Sequence, residues 1–376
     1  VHTGAGMGNA MGCILTAFIN KTPLIITAGQ QTREMLLCEP FLTNIDATSF
    51  PKPWIKWSYE PTRPEDVPGS FMRAYAIATQ QPTGPVFLSL PLDDWDKEIE
   101  NIDVFRTTST RIAPDPERVA QFAEMINQSN NPVLIYGGDI SRSDAWNEGI
   151  IFAEKLNAPV WIGPFSERVS FPENHPLYAG MLPAAIGPLS HKLQGHDLIV
   201  VIGAPVFRYY PWVPGDYLPS GAKLLQICDD PNEAAKAVVG DSIVSDSRLA
   251  LLALIDRVSQ RLKGTHKKNE KSMNPNSEVR QNISCPLTAQ QLFEILSQNI
   301  PEDYVLVQES PSNIPELGTT RIGTIRKPDS YYTMGSGGLG WDLPAAVGLA
   351  FAERRMGKNR PVIVIIGDGS FQYSPQ

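Results

Sequence analysis

The strongest constraint on how this chain can fold is a repeated alternation between short, uninterrupted apolar runs and longer segments of helical period. PLIITAG (Pro23 to Gly29), PVFLSLP (Pro85 to Pro91), PVLIYGG (Pro132 to Gly138), DLIVVIG (Asp197 to Gly203) and PVIVIIG (Pro361 to Gly367) carry Val, Ile and Leu on both faces. A strand apolar on both faces is one covered on both faces, as parallel strands are when helices pack above and below them. The fold class is therefore α/β, with doubly wound parallel sheets.

Changes of composition divide the alternation into three blocks. The first reads as a helix from Gly8 to Asn20 entered through a glycine turn, a strand from Pro23 to Gly29, a weaker strand from Trp54 to Ser58, a helix around Pro64 to Gln80, and the strand at Pro85 to Pro91. An acidic, proline-bearing linker follows from Asp93 to Pro116. The second block runs from about Glu117 to a last helix over Ser247 to Arg261. Lys263 to Asn282 then has almost no apolar residue and reads as a solvated linker. The third block opens with helix Thr288 to Asn299 and strand Tyr304 to Gln308, and continues through helix Leu343 to Arg354 into strand Pro361 to Ile366. The expected domains are 1–100, 116–263 and 286–376. The chain has 376 residues, opens on Val1 inside a glycine-rich motif without an initiator Met, and stops shortly after Gly367-Asp368-Gly369-Ser370. The first and third domains are accordingly expected to be incomplete.

Composition narrows the function. Hydrophobic residues make up 42% and charged residues 19%, ordinary for a globular chain. The formal charge of −8, with no strong basic run, argues against a nucleic-acid partner. The four cysteines, Cys13, Cys38, Cys228 and Cys285, form no C-x-x-C pair, so neither a zinc knuckle nor a disulfide framework is indicated. No apolar stretch approaches the ~18 residues of a membrane span. A soluble, cytoplasmic protein is expected.

Three glycine motifs are candidates for chemistry. Gly4 to Gly12 (GAGMGNAMG) would let backbone approach an anion at a helix N-terminus, but a dinucleotide site needs a carboxylate about twenty positions on, and Ala28-Gly29-Gln30-Gln31 has none. His2, just before it, is either a proton carrier at the ligand edge of a sheet or a polar cap. Gly335 to Ala346 (GSGGLGWDLPAA) places many glycines before an apolar helix, which suits backbone lying against a flat ligand, with a tight turn as the plainer reading. Gly367-Asp368-Gly369-Ser370 delivers one carboxylate at the end of an apolar strand. That suits Mg²⁺ completed by phosphate and water, or else an Asp-Gly hairpin turn.

In this order the motifs resemble the thiamine-diphosphate-dependent 2-oxo-acid decarboxylases, and most of all their benzoylformate-decarboxylase branch. The resemblance rests on His2 to Gly12, TAGQQTREM (Thr27 to Met35), KWSYEP (Lys56 to Pro61), GPVFLSLPLDDWDK (Gly84 to Lys97), GAPVFRY (Gly203 to Tyr209) and YYTMGSGGLGWDLPAA (Tyr331 to Ala346). It implies three consecutive domains: pyrimidine-binding, central and diphosphate-binding. It implies thiamine diphosphate and Mg²⁺ as cofactors, with Asp368 as metal ligand, and Gly367, Gly369, Ser370, Tyr373 and Ser312 around the diphosphate. The Gly337 carbonyl would take the aminopyrimidine, Leu339 would hold the cofactor bent, and His2 would move protons. The reaction implied is decarboxylation of an aromatic 2-oxo acid, benzoylformate to benzaldehyde and CO₂, in a homodimer or homotetramer. An acetolactate-synthase-like carboligase, whose middle domain holds FAD, and a catalytically inactive α/β scaffold are the alternatives. The family's activating glutamate and a substrate-binding serine would lie before Val1, and an Asn of the metal site after Gln376, so the chain alone is expected to be inactive. The family's second histidine falls on Thr288. His175, His191, His196 and His266 are expected in surface loops or linkers.

Overall fold

The computed structural model describes residues 1–100, 108–262, 286–313 and 324–376. The linker expected at Lys263 to Asn282, and with it His266, lies outside the described residues, as does Cys285. Two compact units form: Val1–Arg111 with Met334–Trp341, and Ile112–Thr333 with Asp342–Gln376.

The first unit carries α1 (Thr3–Ile19), β1 (Leu24–Gln30), β2 (Trp57–Tyr59), α2 (Asp66–Thr79) and β3 (Pro85–Pro91). Its sheet is parallel in the order β1-β3-β2. The central β3 is buried at every residue. Its side chains alternate between faces: Phe87 joins Met7 and Ile14 of α1 with Ile26 and Ala28, while Val86, Leu88 and Leu90 meet Ala74 and Ala78 of α2. One expectation is corrected here. The helix starts at Thr3, not Gly8, so Gly4, Gly6 and Gly8 are helical rather than a turn. They serve close approach: a Cβ on Gly4 would lie 3.0 Å from Asn44 Oδ1, and one on Gly6 3.2 Å from Val1 Cβ.

The second unit contains two sheets. The larger is built from α3 (Pro116–Gln128), β4 (Pro132–Tyr136), α4 (Gly138–Arg142), α5 (Trp146–Leu156), β5 (Val160–Ile162), β6 (Tyr178–Met181), α6 (Ile186–Lys192), β7 (Leu198–Ile202), β8 (Lys223–Cys228), α7 (Pro231–Lys236), β9 (Asp241–Val244) and α8 (Ser247–Ile255). All pairs are parallel, in the order β6-β5-β4-β7-β8-β9. Leu134, Tyr136, Val200 and Ile202 face one apolar core, and Val133, Ile135, Ile199 and Val201 the other, so both faces are covered. The last helix ends at Ile255, short of the expected Arg261. Arg261 instead folds back to donate to the carbonyls of Ile126 and Ser129 at 2.6 and 2.7 Å, which supplies partners for orphan groups at the end of α3. His191 sits on α6, not in a loop.

The smaller sheet follows α9 (Ala289–Asn299) and comprises β10 (Val305–Glu309), β11 (Tyr331–Thr333) and β12 (Val362–Ile366), with α10 (Asp342–Arg355) and a short α11 (Asp368–Phe371). It is parallel, ordered β11-β10-β12. The architecture is thus three parallel sheets clothed by helices, as the apolar runs required. Among the described residues no helix is long and apolar enough to cross a membrane.

Candidate active site

In the first unit, His2 is the N-cap residue of α1 and is exposed, and its ring makes no capping bond. The Val1 backbone nitrogen donates to the Thr27 carbonyl at 2.7 Å, which fixes His2 beside β1. A buried polar network lies at the carboxyl edge of this sheet. Gln30 Oε1 accepts from the backbone of Asn44 and Gln31, and its Nε2 donates to the Asn44 carbonyl at 2.9 Å. Ser89 donates to Glu60 Oε2 at 2.6 Å. Both side-chain atoms of Asn44 and the Thr3 hydroxyl are buried without a hydrogen-bond partner, next to the backbone that carries His2. Thr3 also has φ +49, a strained conformation for a β-branched residue. Orphan groups and strain of this kind gather at functional sites.

The glycine loop 335–341 packs in the same unit on the far end of α1. Thr16 and Ser336 hydroxyls lie 2.8 Å apart, and the Gly335 N–H donates to Asn20 Oδ1 at 2.8 Å. Gly337 and Gly340 have φ +75 and +88, so the loop needs glycine there. Leu339 is half-exposed. His2 and the Thr16 anchor are separated by about 20 Å along the helix at ~1.5 Å per residue. Within one chain, this unit therefore does not bring His2 to Gly337 and Leu339.

In the second unit, β10 and β12 run side by side, and the Gly367 N–H donates to the Glu309 carbonyl at 2.9 Å. Ser312, which follows β10, and the run Gly367 to Tyr373, which follows β12, so emerge at one sheet edge. Asp368 opens the short helix α11 instead of a hairpin turn. Asp368, Gly369, Tyr373 and Ser312 are exposed, Gly367 is half-buried and Ser370 is buried. A Cβ on Gly369 would meet nothing within 4 Å, so the backbone there stands open to a ligand.

Two groups in this region escaped the sequence reading. Asp342, the first residue of α10, is fully buried, and neither of its carboxyl oxygens has a hydrogen-bond partner. Its N–H donates to Glu309 Oε2 at 2.9 Å. Burial, and next the neighbouring Glu309 charge, push the Asp342 carboxyl up to about 8. In sequence it stood only within the Gly335 to Ala346 motif, ahead of a helix read from Leu343. Thr288, in contrast, is a plain cap: its hydroxyl accepts from Gln291 N–H while Gln291 Oε1 accepts from Thr288 N–H. A shallow cleft of about 310 Å³ lined by Trp57, Tyr59 and Arg73 holds none of the predicted site residues.

The larger sheet reverses strand order between β4 and β7, where open α/β sheets take ligands. Here that crevice is filled. Arg142 joins Asp139 and Glu167, and a Cβ on Gly137 would lie 2.4 Å from the Gly203 carbonyl. Burial acts to raise Glu167, but the charges of Arg142 and Arg208 outweigh it and hold the carboxyl below its usual range.

Residues 119–254 match the family described as "Thiamine pyrophosphate enzyme, central domain", and residues 316–376 match "Thiamine pyrophosphate enzyme, C-terminal TPP binding domain". Benzoylformate decarboxylase of Pseudomonas aeruginosa is 41% identical over 99% of this chain and 69% of its own length. The chain belongs to the thiamine pyrophosphate enzymes. Among solved structures, benzoylformate decarboxylase from Polynucleobacter necessarius is 60% identical with a TM-score of 0.92, covering 100% of this chain and 69% of that one. A putative thiamin diphosphate-dependent enzyme from Mycobacterium smegmatis is 51% identical with a TM-score of 0.93, covering 100% and 72%. The class is thus that of thiamine-diphosphate-dependent decarboxylases, and the chain spans about two thirds of these relatives' lengths.

Proposed function

We propose that the enzyme catalyses non-oxidative, Mg²⁺-dependent decarboxylation of an aromatic 2-oxo acid, with benzoylformate and a proton giving benzaldehyde and CO₂. The observation that carries this reading is the edge formed by β10 and β12, where the exposed carboxylate of Asp368, the open backbone of Gly369 and the start of α11 converge. This donor set fits a diphosphate with its metal. A single carboxylate suits Mg²⁺ when phosphate oxygens and water complete the shell, and N–H groups at a helix start suit the anion. Among the described residues no group of three or more His, Cys, Asp and Glu side chains is gathered for a metal.

In this reading Asp368 ligates Mg²⁺, while Gly367, Gly369, Ser370, Tyr373 and Ser312 line the diphosphate. Gly337 offers its carbonyl to the aminopyrimidine, and the half-exposed Leu339 presents the apolar surface that keeps water from the reacting carbon. Bound thiamine diphosphate supplies a carbon nucleophile and an electron sink. His2, exposed at the sheet edge, gives a ring proton to the substrate's ketone oxygen and takes one back as the aldehyde forms. Residues 1–100, 116–263 and 286–376 serve as pyrimidine-binding, central and diphosphate-binding domains. Because His2 and the 335–341 loop sit at opposite ends of α1, we place each complete site between two copies in a homodimer or homotetramer.

The filled crevice of the larger sheet speaks against the flavin of an acetolactate-synthase-like carboligase. The test is an assay of the complete enzyme with thiamine diphosphate, Mg²⁺ and benzoylformate. Stoichiometric benzaldehyde and CO₂ are expected. Failure to decarboxylate any aromatic 2-oxo acid, or formation of acetolactate from pyruvate, would overturn the reading.

A further inference from the structure

The turn that carries His2 is tied to β1 from two sides. On one side the Val1 backbone nitrogen donates to the Thr27 carbonyl at 2.7 Å. On the other, Gln30 at the end of β1 grips Asn44: Gln30 Oε1 accepts the Asn44 N–H at 3.0 Å, and its Nε2 donates to the Asn44 carbonyl at 2.9 Å. The same Oε1 accepts the Gln31 N–H, and Nε2 lies 3.5 Å from Glu60 Oε2, so four contacts agree on how the amide is oriented. Glu60 in turn accepts from the Ser89 hydroxyl of β3 at 2.6 Å.

Asn44, itself 3% exposed, meets the first turn of α1. Gly4 comes so near that a Cβ there would stand 3.0 Å from Asn44 Oδ1, so the helix rests on this side chain. Between Val1 and Gly4 lie only His2 and Thr3. Thr3 has φ +49, and the His2 carbonyl accepts the Gly6 N–H at 2.7 Å as the first bond of the helix. A β-branched residue keeps such a backbone only where its surroundings impose it. Here the surroundings are two fixed points, the Val1 bond to Thr27 and the seat of Gly4 on Asn44, and both are set by β1.

We propose that Gln30 and Asn44 are positioning residues for His2: Gln30 locks Asn44, and Asn44 holds the first turn of α1 so that the strained Thr3 backbone presents the His2 ring in one place. The proposal rests on the reading of His2 as the proton carrier. A general acid has to stand within hydrogen-bond reach of the atom it serves, and a displacement of ~1 Å can cost on the order of a hundredfold in rate. Both residues are buried and act through the backbone, without touching the substrate.

The test uses the complete enzyme and two readouts. Asn44→Ala removes the seat and Gln30→Ala its anchor. Each should lower kcat for benzoylformate by about tenfold or more, while KM and thiamine diphosphate affinity stay within about twofold. A crystal structure of cofactor-free Asn44→Ala should show His2 displaced and Thr3 relaxed to negative φ. Gly4→Ala pushes a methyl toward Asn44 Oδ1 and should lose kcat in the same way. Combined with Asn44→Ala it should lose no more than either single variant, because the methyl then enters the space the carboxamide leaves. An unmoved His2 in Asn44→Ala, losses that multiply in the double variant, or KM and cofactor affinity worsening in step with kcat each overturn the proposal. Should Asn44→Ala not fold, an unmoved His2 and an unchanged kcat in Gly4→Ala do so. His2→Ala separates the two readings: full activity there sinks the proton-carrier reading, whereas an inactive His2→Ala beside a fully active Asn44→Ala sinks the positioning role alone.

Discussion

A carboxyl that keeps its proton in the folded state but loses it on unfolding makes stability depend on pH. Asp342 has an ordinary value of 3.8 and a folded value of about 8. The unfolded chain releases this proton near the lower value and the folded chain near the upper. Its favourable contribution is therefore complete below the lower value, erodes as pH rises between the two, and is gone above the upper. Replacement by Asn removes the charge that burial penalises, so Asp342→Asn is expected to exceed wild type by about 1–3 kcal/mol at pH 8, after allowing for a buried, unpartnered amide. Its advantage should shrink toward pH 4, a trend that urea midpoints across pH will show. Two glycines separate packing from function at the same scale. Gly137→Ala drives a methyl into the Gly203 carbonyl at 2.4 Å and should cost about 2–3 kcal/mol by denaturant melts. Gly369→Ala meets open space, so stability should change by less than ~1 kcal/mol, while thiamine diphosphate affinity falls at least tenfold because the methyl occupies the ligand's side. Equal losses of stability in both variants would contradict this division.

Elements show which interactions hold the larger sheet's crevice shut. Arg142 on α4, its side chain 11% exposed, lies between the buried Asp139 and Glu167, so its ion pairs fasten α4 to the segment that follows β5. Arg142→Ala removes the cation that Asp139 and Glu167 share, leaving Glu167 with Arg208 at 3.8 Å, and should destabilise by about 2–4 kcal/mol, read as a drop in the chemical denaturation midpoint. Glu167 is held below its usual range, so its contribution is present above the ordinary value of 4.5 and is lost as pH falls through the depressed folded value. Acid should therefore narrow the gap between variant and wild type. None of this was visible in sequence, where Asp139, Arg142 and Glu167 look like scattered surface charges. The strands were another matter. β3, β4, β7 and β12 announced themselves because Val, Ile and Leu on both faces suit no other setting. β6, β9 and β11 did not, since Tyr178–Met181, Asp241–Val244 and Tyr331–Thr333 are short edge strands with mixed polarity. The start of α1 was hidden by Gly4, Gly6 and Gly8, whose low helix propensity is overridden by the close contacts they permit.

At the scale of the whole molecule, the motifs gave the kind of chemistry but not its spatial arrangement. The order of His2, the 335–341 loop and the Gly367 to Ser370 run could be read directly, because glycine-rich turns and strand ends leave local marks. That α1 holds His2 at one end and the Thr16 and Asn20 anchors of the loop at the other could not, because nothing local encodes where a loop from residue 335 comes to rest. This separation leads to a direct test of assembly. If one copy supplies His2 and another supplies Asp368 to each site, then His2→Ala and Asp368→Ala are each inactive as homodimers. In a mixed dimer, one site carries both substitutions and the other carries neither. Random subunit exchange makes about half of the dimers mixed, each with one of its two sites intact, so activity should recover to roughly a quarter of wild type. A site built from a single copy would leave every site damaged, and the mixture would stay silent. Titrating one inactive variant with the other while following benzaldehyde release distinguishes the two, since recovery must peak at equal amounts and vanish at either extreme.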